Sequence, residues 1–170
     1  VVEIVVPVSL FSLDALVVDL GGERAALPLD AVRKVARLEE SDVARSPAGD
    51  SIVLDDRVVP FADLVALLRP GAQAASGAKS FPVVVVESAG ALAAFRVDRL
   101  YGVEDVVLRA LPRLFPAAPL LAGASLDSEG NPQLVLDPAG LVAISVRTRP
   151  SRAGPLRGGG AGAGGGEDDA

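Results

Sequence analysis

The chain has 170 residues, of which 50% are hydrophobic and 22% are charged, a balance that predicts a folded globular unit rather than a disordered segment. Its formal net charge is −6, so a general attraction to nucleic acid or to an anionic membrane surface is not expected. Cys and His are absent, which excludes disulfides, thiolate and imidazole metal ligands, a histidine general base and a phosphoacceptor histidine. We therefore predict a protein-binding domain that is not an enzyme and needs no cofactor.

The chain also lacks the sequence features of membrane insertion and export. No apolar run approaches the roughly 20 residues of a membrane helix, and the N-terminus has neither the basic start nor the cleavage site of a signal peptide. These features predict a cytoplasmic protein with no direct membrane insertion. Because the chain begins at Val1 and contains no Met, we expect it to be a piece of a longer protein.

The first elements in chain order are short apolar runs. Residues 1–10 are rich in β-branched side chains and predict an edge or terminal strand. Two further runs, 15–20 and 25–29, flank a glycine-led turn and predict a β-hairpin. Residues 31–40 space their apolar side chains by three, as one face of a helix does, but the segment is short and follows a proline. The sequence therefore leaves both a helix and a strand possible for residues 31–40.

The next elements complete the first half. Residues 51–54 and 58–61 are joined by Asp55-Asp56-Arg57 and predict a second hairpin. The alanine and leucine content of 62–68 predicts a short helix. The small polar residues of 70–79 predict a flexible loop between two lobes.

The second half follows the same order. A hairpin is predicted over 81–97, then a β-rich stretch over 102–111, and then a hairpin over 124–136. Asp137 is placed as the N-cap of a final short helix that Pro138 begins. Two such units, offset by roughly 70 residues, predict an internal duplication and two small β-barrels whose intervening groove is the natural binding site.

Several charged or glycine-rich segments could carry chemistry, but a structural role is the expected explanation for each. The carboxylate pairs Glu39-Glu40, Asp55-Asp56 and Asp127/Glu129 can serve acid–base or metal chemistry only if they converge, and each is expected in a solvated turn. Asp98-Arg99 is expected to be an ion pair that fixes a strand end, with a role at an interface as the alternative. The glycines of 158–166 follow no predicted strand and predict a tether rather than a phosphate loop.

Three stretches carry a resemblance to a known family. They are ALVVDLGGERAALPLDAVRKVARLEE at 15–40, FRVDRLYGVEDVVLRAL at 95–111 and LLAGASLDSEGNPQLVLDPAGLVAI at 120–144. Together they resemble the CheW-like domain, which also forms the C-terminal regulatory domain of CheA-type chemotaxis histidine kinases. The residues that match its motifs are Val97, Asp98, Gly102, Gly123, Ala124, Gly130, Leu136, Asp137 and Leu141. One departure is Asp55-Asp56, where family members often carry Arg-Gly.

The resemblance implies a mainly all-β fold with two SH3-like five-stranded β-barrel lobes, related by a pseudo-twofold duplication, and short helices. It implies three partners: a CheW-type coupling protein, the cytoplasmic tip of a chemoreceptor and the kinase core in cis. It also implies recruitment to chemoreceptor assemblies. Candidate residues for the receptor groove are Val32, Val35, Leu38, Val97, Leu100 and Val106, and candidates for the coupling-protein interface are Val59, Phe61 and Leu121. For the first three, core packing is an equal alternative.

The predicted domain boundaries follow from the resemblance and the flanks. Residues 1–12 resemble the closing strand of a preceding ATPase domain, 13–148 form the CheW-like regulatory domain, and 149–170 form a glycine-rich linker to a further domain. The lobe boundary is expected near 70–80, with the lobes intertwined at their ends. The alternatives are a free-standing CheW-type coupling protein, a lobe that fixes kinase geometry without partners, and a small-ligand-binding β-barrel with Asp98, Arg99 and Tyr101 as its polar lining.

Overall fold

The computed structural model describes residues 11–72, 77–110 and 118–147, and the predicted strand at 1–10 and the glycine-rich tail lie outside these ranges. Eleven strands and two short helices occur in the described residues. Their bounds are β1 (Phe11–Leu20), β2 (Glu23–Pro28), β3 (Val32–Glu39), β4 (Val43–Ala44), β5 (Ser51–Leu54), β6 (Arg57–Asp63), α1 (Leu64–Leu68), β7 (Ser80–Ser88), β8 (Ala91–Arg96), β9 (Arg99–Leu108), β10 (Leu121–Leu126), β11 (Pro132–Leu136) and α2 (Pro138–Arg147). The predicted mainly β class is confirmed.

The strands form two sheets that repeat one pairing scheme. One sheet has five strands in the order β10-β11-β2-β1-β9, and the other has six in the order β4-β5-β6-β8-β7-β3. The parallel pair of β11 with β2 corresponds to the parallel pair of β6 with β8. Each half of the chain therefore contributes its first hairpin to the sheet built mainly by the other half, and the predicted duplication takes this exchanged form.

The exchange sets where the chain passes between the two sheets. The segment around 70–80 connects α1 to β7, and the strands on both sides of it belong to the six-stranded sheet. The chain passes between the sheets after β2 and again after β8 instead. Flexible composition indicated a loop at 70–79, but composition carries no information about which strands pair across it.

Aspartates cap the starts of both helices, and the cap at Asp137 is the one that the sequence predicts. Asp63 accepts the Ala66 N–H at 3.1 Å and caps α1. Asp137 accepts the Ala139 N–H at 3.0 Å where Pro138 begins α2. Residues 32–39, for which helix and strand both stayed open, form strand β3, because antiparallel pairing with β7 outweighs the threefold spacing of three apolar side chains.

Three apolar clusters hold the fold together. One lies inside the five-stranded lobe, around Val106 and Val135, and another lies inside the six-stranded lobe, around Ile52 and Phe81. The largest is the shared core, in which residues of β1, β2, β7 and β8 pack with α1 and α2. Strand β7 contributes alternate residues to two of these clusters, Val83 and Val85 to one lobe and Val84 and Val86 to the shared core. The shared core therefore joins the two lobes.

The two outer strands of the five-stranded sheet, β9 and β10, meet at one isolated bridge. Beyond the end of β9, the N–H of Arg109 donates to the Ala124 carbonyl at 2.8 Å, and the N–H of Ala124 donates back at 2.9 Å. Gly123 lies at this junction, where an added Cβ would fall 2.6 Å from Leu108 Cδ1 and overlap the Arg109 carbonyl oxygen. Glycine at 123 is required because the two strands approach so closely.

Candidate protein-interaction surfaces

The interlobe face is the surface on which the shared core reaches solvent. Strands β3 and β9 are the outer strands of their sheets, and each pairs with a strand that is buried in the shared core. Val35 on β3 is opposite the fully buried Val84, and Val103 on β9 is opposite the buried Leu16. Since opposed residues in an antiparallel pair lie on one face, Val35 and Val103 continue the core face outward.

The receptor-groove candidates are placed differently from one another. Val35 is exposed to 44%, while Val32 and Leu100 are half-buried against the shared core. Leu38 packs against the interior of the six-stranded lobe. Val97 and Val106 are buried at 0% and 2% exposure, so core packing accounts for their side chains. The structure thus brings Val32, Val35 and Leu100 to the edges of the shared core.

Two exposed residues of the interlobe face are missing from the sequence-derived candidates. Val103 and Val107 are 55% and 43% exposed and alternate with the buried Val106 along β9. Asp105 lies between them on the same side of the strand, and β1 supplies Asp14 opposite it. The alternation of exposed and less exposed residues along β9 could have identified Val103, Asp105 and Val107 from the sequence. However, Tyr101 is an extra residue in β9, between the partners of Val17 and Val18. This bulge moves the residues after Leu100 to the opposite face from the one that a continuous alternation predicts.

The second exposed surface is the outer side of the β5–β6 hairpin. Val53 and Val58 are directly opposite each other and are 67% and 54% exposed. Of the sequence-derived candidates for the coupling-protein interface, Val59 points into the lobe and is 2% exposed. The predicted position is therefore one residue from the exposed one, and in a strand a shift of one residue reverses the face.

The other two coupling-protein candidates are half-buried. The ring centroids of Phe61 and Phe81 are 6.0 Å apart, so Phe61 helps close the six-stranded lobe. Leu121 packs against the shared core. Neither is fully withdrawn from the surface, but the exposed Val53–Val58 pair offers more apolar area to a partner.

The tip of this hairpin contains the departure from the family pattern. Asp55 and Asp56 adopt φ values of 48° and 61°, the left-handed region that a type I′ turn requires at both central positions. Lys34 Nζ lies 3.1 Å from Asp55 Oδ1, so β3 is tied to the tip. The turn is thus a solvated acidic turn, as its sequence indicated.

Arg24, Tyr101 and Asp19 lie at one end of the five-stranded lobe and contact one another or a neighbouring carboxylate. A cavity of about 570 Å³ at the end of the five-stranded lobe is lined by Arg24, Tyr101 and Asp127. Arg24 donates to Glu104 at 2.6 Å and lies 4.7 Å from the Tyr101 ring, whose hydroxyl donates to Asp19 at 2.7 Å. That last hydrogen bond is the main cause that raises the pKa of Tyr101. Arg24 Nε and both side-chain polar atoms of Gln133, which also lines this cavity, are buried without a hydrogen-bond partner among the described residues.

Asp98 and Arg99 do not form the expected ion pair. The Asp98 carboxylate accepts the Gly21 N–H at 2.6 Å, and the backbone N–H of Asp98 donates to the Asp19 carbonyl at 3.1 Å. Asp98 therefore anchors the β1–β2 turn to the crossing between the sheets, while Arg99 is exposed at the start of β9. The interaction holds a bend, as expected, but through backbone N–H groups.

A second charged group lies near the end of β3. Glu40 accepts hydrogen bonds from Arg45 at 2.6 Å and from the buried Arg96 at 2.8 Å. The Arg45 contact is the largest cause, and the Arg96 contact a further one, that lowers the pKa of Glu40 below its usual 4.5. The Arg96 guanidinium also lies 4.2 Å from the Phe81 ring centroid. This group links the segment after β3 to the interior of the lobe.

The described residues contain neither a candidate metal site nor a candidate membrane-spanning helix. No group of three or more Asp, Glu, His or Cys side chains is arranged to hold a metal ion in the part of the chain that the structure describes. Neither α1 nor α2 has the length and hydropathy of a membrane-crossing helix, and the described ranges contain no other candidate.

Comparison with known proteins identifies the family. The model of the CheW-like domain matches residues 14–145. Chemotaxis protein CheA of Cereibacter sphaeroides is 28% identical over 82% of this chain and 21% of its own length. Its counterpart in Salmonella typhimurium is 26% identical over 87% and 22%. The chain thus spans about a fifth of the length of these curated relatives.

A solved structure shares the fold. The scaffolding protein TtCheW from Thermoanaerobacter tengcongensis superposes with a TM-score of 0.61 at 16% identity, covering 75% of this chain and 90% of that one. At that identity the likeness concerns the two-lobed fold alone. The match of the family model over most of the chain shows that the chain belongs to the family of CheW-like domains, which are coupling domains of chemotaxis signalling.

Proposed function

We propose that this chain is the regulatory domain of a CheA-type histidine kinase and that it binds a CheW-type coupling protein and the cytoplasmic tip of a chemoreceptor. The kinase core elsewhere in the same protein would be the element that these contacts control. The proposal places the chain in the cytoplasm at chemoreceptor assemblies. Its own role is to offer binding surface, and no residue is assigned a catalytic role.

The observation that carries the proposal is the exposure of valines on two surfaces of a chain whose family works by coupling. The interlobe face presents Val35 and Val103, and the β5–β6 hairpin presents Val53 and Val58. Exposed apolar residues grouped on strands are typical of protein interfaces. We assign the interlobe face to the receptor tip and the hairpin to the coupling protein.

The regulatory-domain assignment is supported by the curated relatives. The chain aligns over 82% and 87% of its length with proteins named CheA, and over 78% with the sensor histidine kinase CheAY of Helicobacter pylori. The alternative is a free coupling protein, which is supported by the 90% coverage of TtCheW. An antibody raised against this chain distinguishes the two in cell extract. A product much larger than this chain supports the kinase assignment, and one of this size supports the free protein.

Binding to the coupling protein is tested with two neighbouring substitutions on β6. We expect Val58→Asp to leave the fold intact and to weaken binding at least tenfold, because it places a charge in an apolar contact. Val59→Asp is the matched comparison and should unfold the lobe, because the side chain is 2% exposed. Circular dichroism checks folding, and calorimetric titration with the coupling protein of the same organism measures affinity, expected in about the micromolar range.

If folded Val58→Asp protein bound with the affinity of the unchanged chain, the hairpin would be removed from the interface. If the unchanged chain did not bind the coupling protein at all, the coupling-protein part of the proposal would fail.

The proposal also predicts the absence of chemistry in the isolated chain. Incubation with labelled ATP should give no phosphorylated chain, since the sequence contains no His to accept a phosphoryl group, and no hydrolysis, since the proposal places the ATP-binding kinase core elsewhere in the protein. Label retained on the chain after denaturation would contradict this assignment.

A further inference from the structure

An exposed pair of like charges lies on the interlobe face. Asp14 of β1 and Asp105 of β9 are directly opposite each other in the antiparallel register. Opposed Cβ atoms in such a pair are about 5 Å apart, and like charges at this separation destabilise a sheet. The chain therefore carries an arrangement that works against its own stability.

Among the described residues, no ion pair offsets this repulsion. Asp105 accepts a hydrogen bond from the Ser12 hydroxyl, and neither carboxylate has an ion-pair partner among the described residues. The neighbouring carboxylate Glu104, on the opposite side of β9, is paired with Arg24 at 2.6 Å. The two sides of β9 therefore differ. The carboxylate on the side toward the lobe interior has a cationic partner, and the carboxylate on the interlobe side has none among the described residues.

The two carboxylates lie among exposed apolar side chains. Val103 and Val107 flank Asp105 on the same side of β9, and Asp14 is followed on its side of β1 by Leu16, which belongs to the shared core. The surface thus combines an apolar strip with two negative charges at its centre. A planar guanidinium can bridge two carboxylates with paired hydrogen bonds, and an ammonium can lie between them.

We infer that Asp14 and Asp105 bind a basic side chain, Arg or Lys, of the helical receptor tip that covers Val103 and Val107. This inference rests on the proposed function, since it names the chemistry of the partner at the interlobe face. The occupant is an amphipathic helix whose apolar stripe contacts the valines and whose basic residue neutralises the carboxylates. Charge complementarity would then fix the orientation of that helix in the groove.

The test uses the full chain and a soluble cytoplasmic-tip fragment of a chemoreceptor from the same organism. Asp14→Asn and Asp105→Asn, singly and together, remove charge with little change in shape. We expect the double variant to bind about tenfold more weakly at low salt, with a smaller loss at high salt. Its melting temperature should stay equal or rise, because the repulsion is relieved. Glu129→Gln, an exposed carboxylate in the β10–β11 turn, is the control and should bind unchanged.

The possible outcomes separate this inference from the proposed function. Failure of the unchanged chain to bind the tip removes both the receptor assignment and the inference. Loss of binding in Val103→Asp with full affinity in the double Asn variant keeps the interlobe face and overturns the basic partner. A fall in the melting temperature of the double variant assigns the pair a structural role and also overturns the inference. Weakened binding to the coupling protein instead of the tip overturns the choice of occupant.

Discussion

At the scale of single residues, one carboxylate organises a whole turn. Asp127 accepts the N–H groups of Glu129 at 2.9 Å and Asn131 at 2.8 Å, and the Asn131 side chain donates to it at 3.2 Å. The backbone N–H of Asn131 is the largest cause that lowers the pKa of Asp127 below its usual 3.8. The ionised form of Asp127 is therefore favoured by folding.

The sign of the resulting pH dependence follows from that direction. Because the pKa of Asp127 is lower in the folded chain, its stabilisation is present above pH 3.8 and is lost as the pH falls through the folded value. Asp127→Asn should lower the melting temperature at pH 7, and the difference should vanish in strong acid. Thermal denaturation across this pH range measures it, with Glu129→Gln as the control. A difference independent of pH would show that the charge contributes nothing.

At the scale of elements, the close approach of α2 to the residues before β10 sets a requirement for glycine. A Cβ added at Gly140 would overlap the carbonyl oxygen of Pro119 and lie 2.9 Å from its carbonyl carbon. Backbone atoms cannot move aside as a flexible side chain can. The helix must therefore carry glycine at this point in order to pack against the chain.

Two opposite effects on the free energy of unfolding are therefore expected for Gly140→Ala. Helix propensity alone predicts that alanine stabilises α2 by about 1 kcal/mol. The overlap with Pro119 predicts a loss of about 2 kcal/mol or more, and we expect the overlap to dominate. Urea denaturation measures the change in the free energy of unfolding, and a more stable variant would disprove the close approach.

The sequence predicts local elements better than their partners. The hairpins, Asp137 at the start of α2 and the family itself follow from residues that are near one another in the chain. Val97 and Val106 could not be placed in the core, and Val59 could not be distinguished from Val58, because the face of each residue depends on register between strands far apart in sequence. The Asp14–Asp105 pair could not be predicted for the same reason, because the two residues become neighbours only through the pairing of β1 with β9.

At the scale of the whole molecule, the exchange of hairpins makes the two lobes dependent on each other. Strands β1 and β2 pair with β9 and β11, and β7 and β8 pair with β3 and β6. The shared core takes side chains from both halves. We therefore expect one cooperative unfolding transition rather than two.

Division of the chain between Ala72 and Gly77 tests this dependence. Each half should fail to fold alone, because it lacks the hairpin that completes its sheet and half of the shared core. The two halves mixed together should regain the circular dichroism of the intact chain. Independent cooperative folding of either half would show that the lobes are separable domains.

Amide hydrogen exchange of the intact chain, alone and with the receptor-tip fragment, tests the central claim that the outer strands are binding surfaces. We predict slower exchange on β3 and β9 in the complex, since a partner that contacts their exposed side chains also shields their backbone from water, and little change in β7 and β8, which are already buried. A complex that left β3 and β9 unprotected and slowed exchange elsewhere would contradict the assignment of the interlobe face.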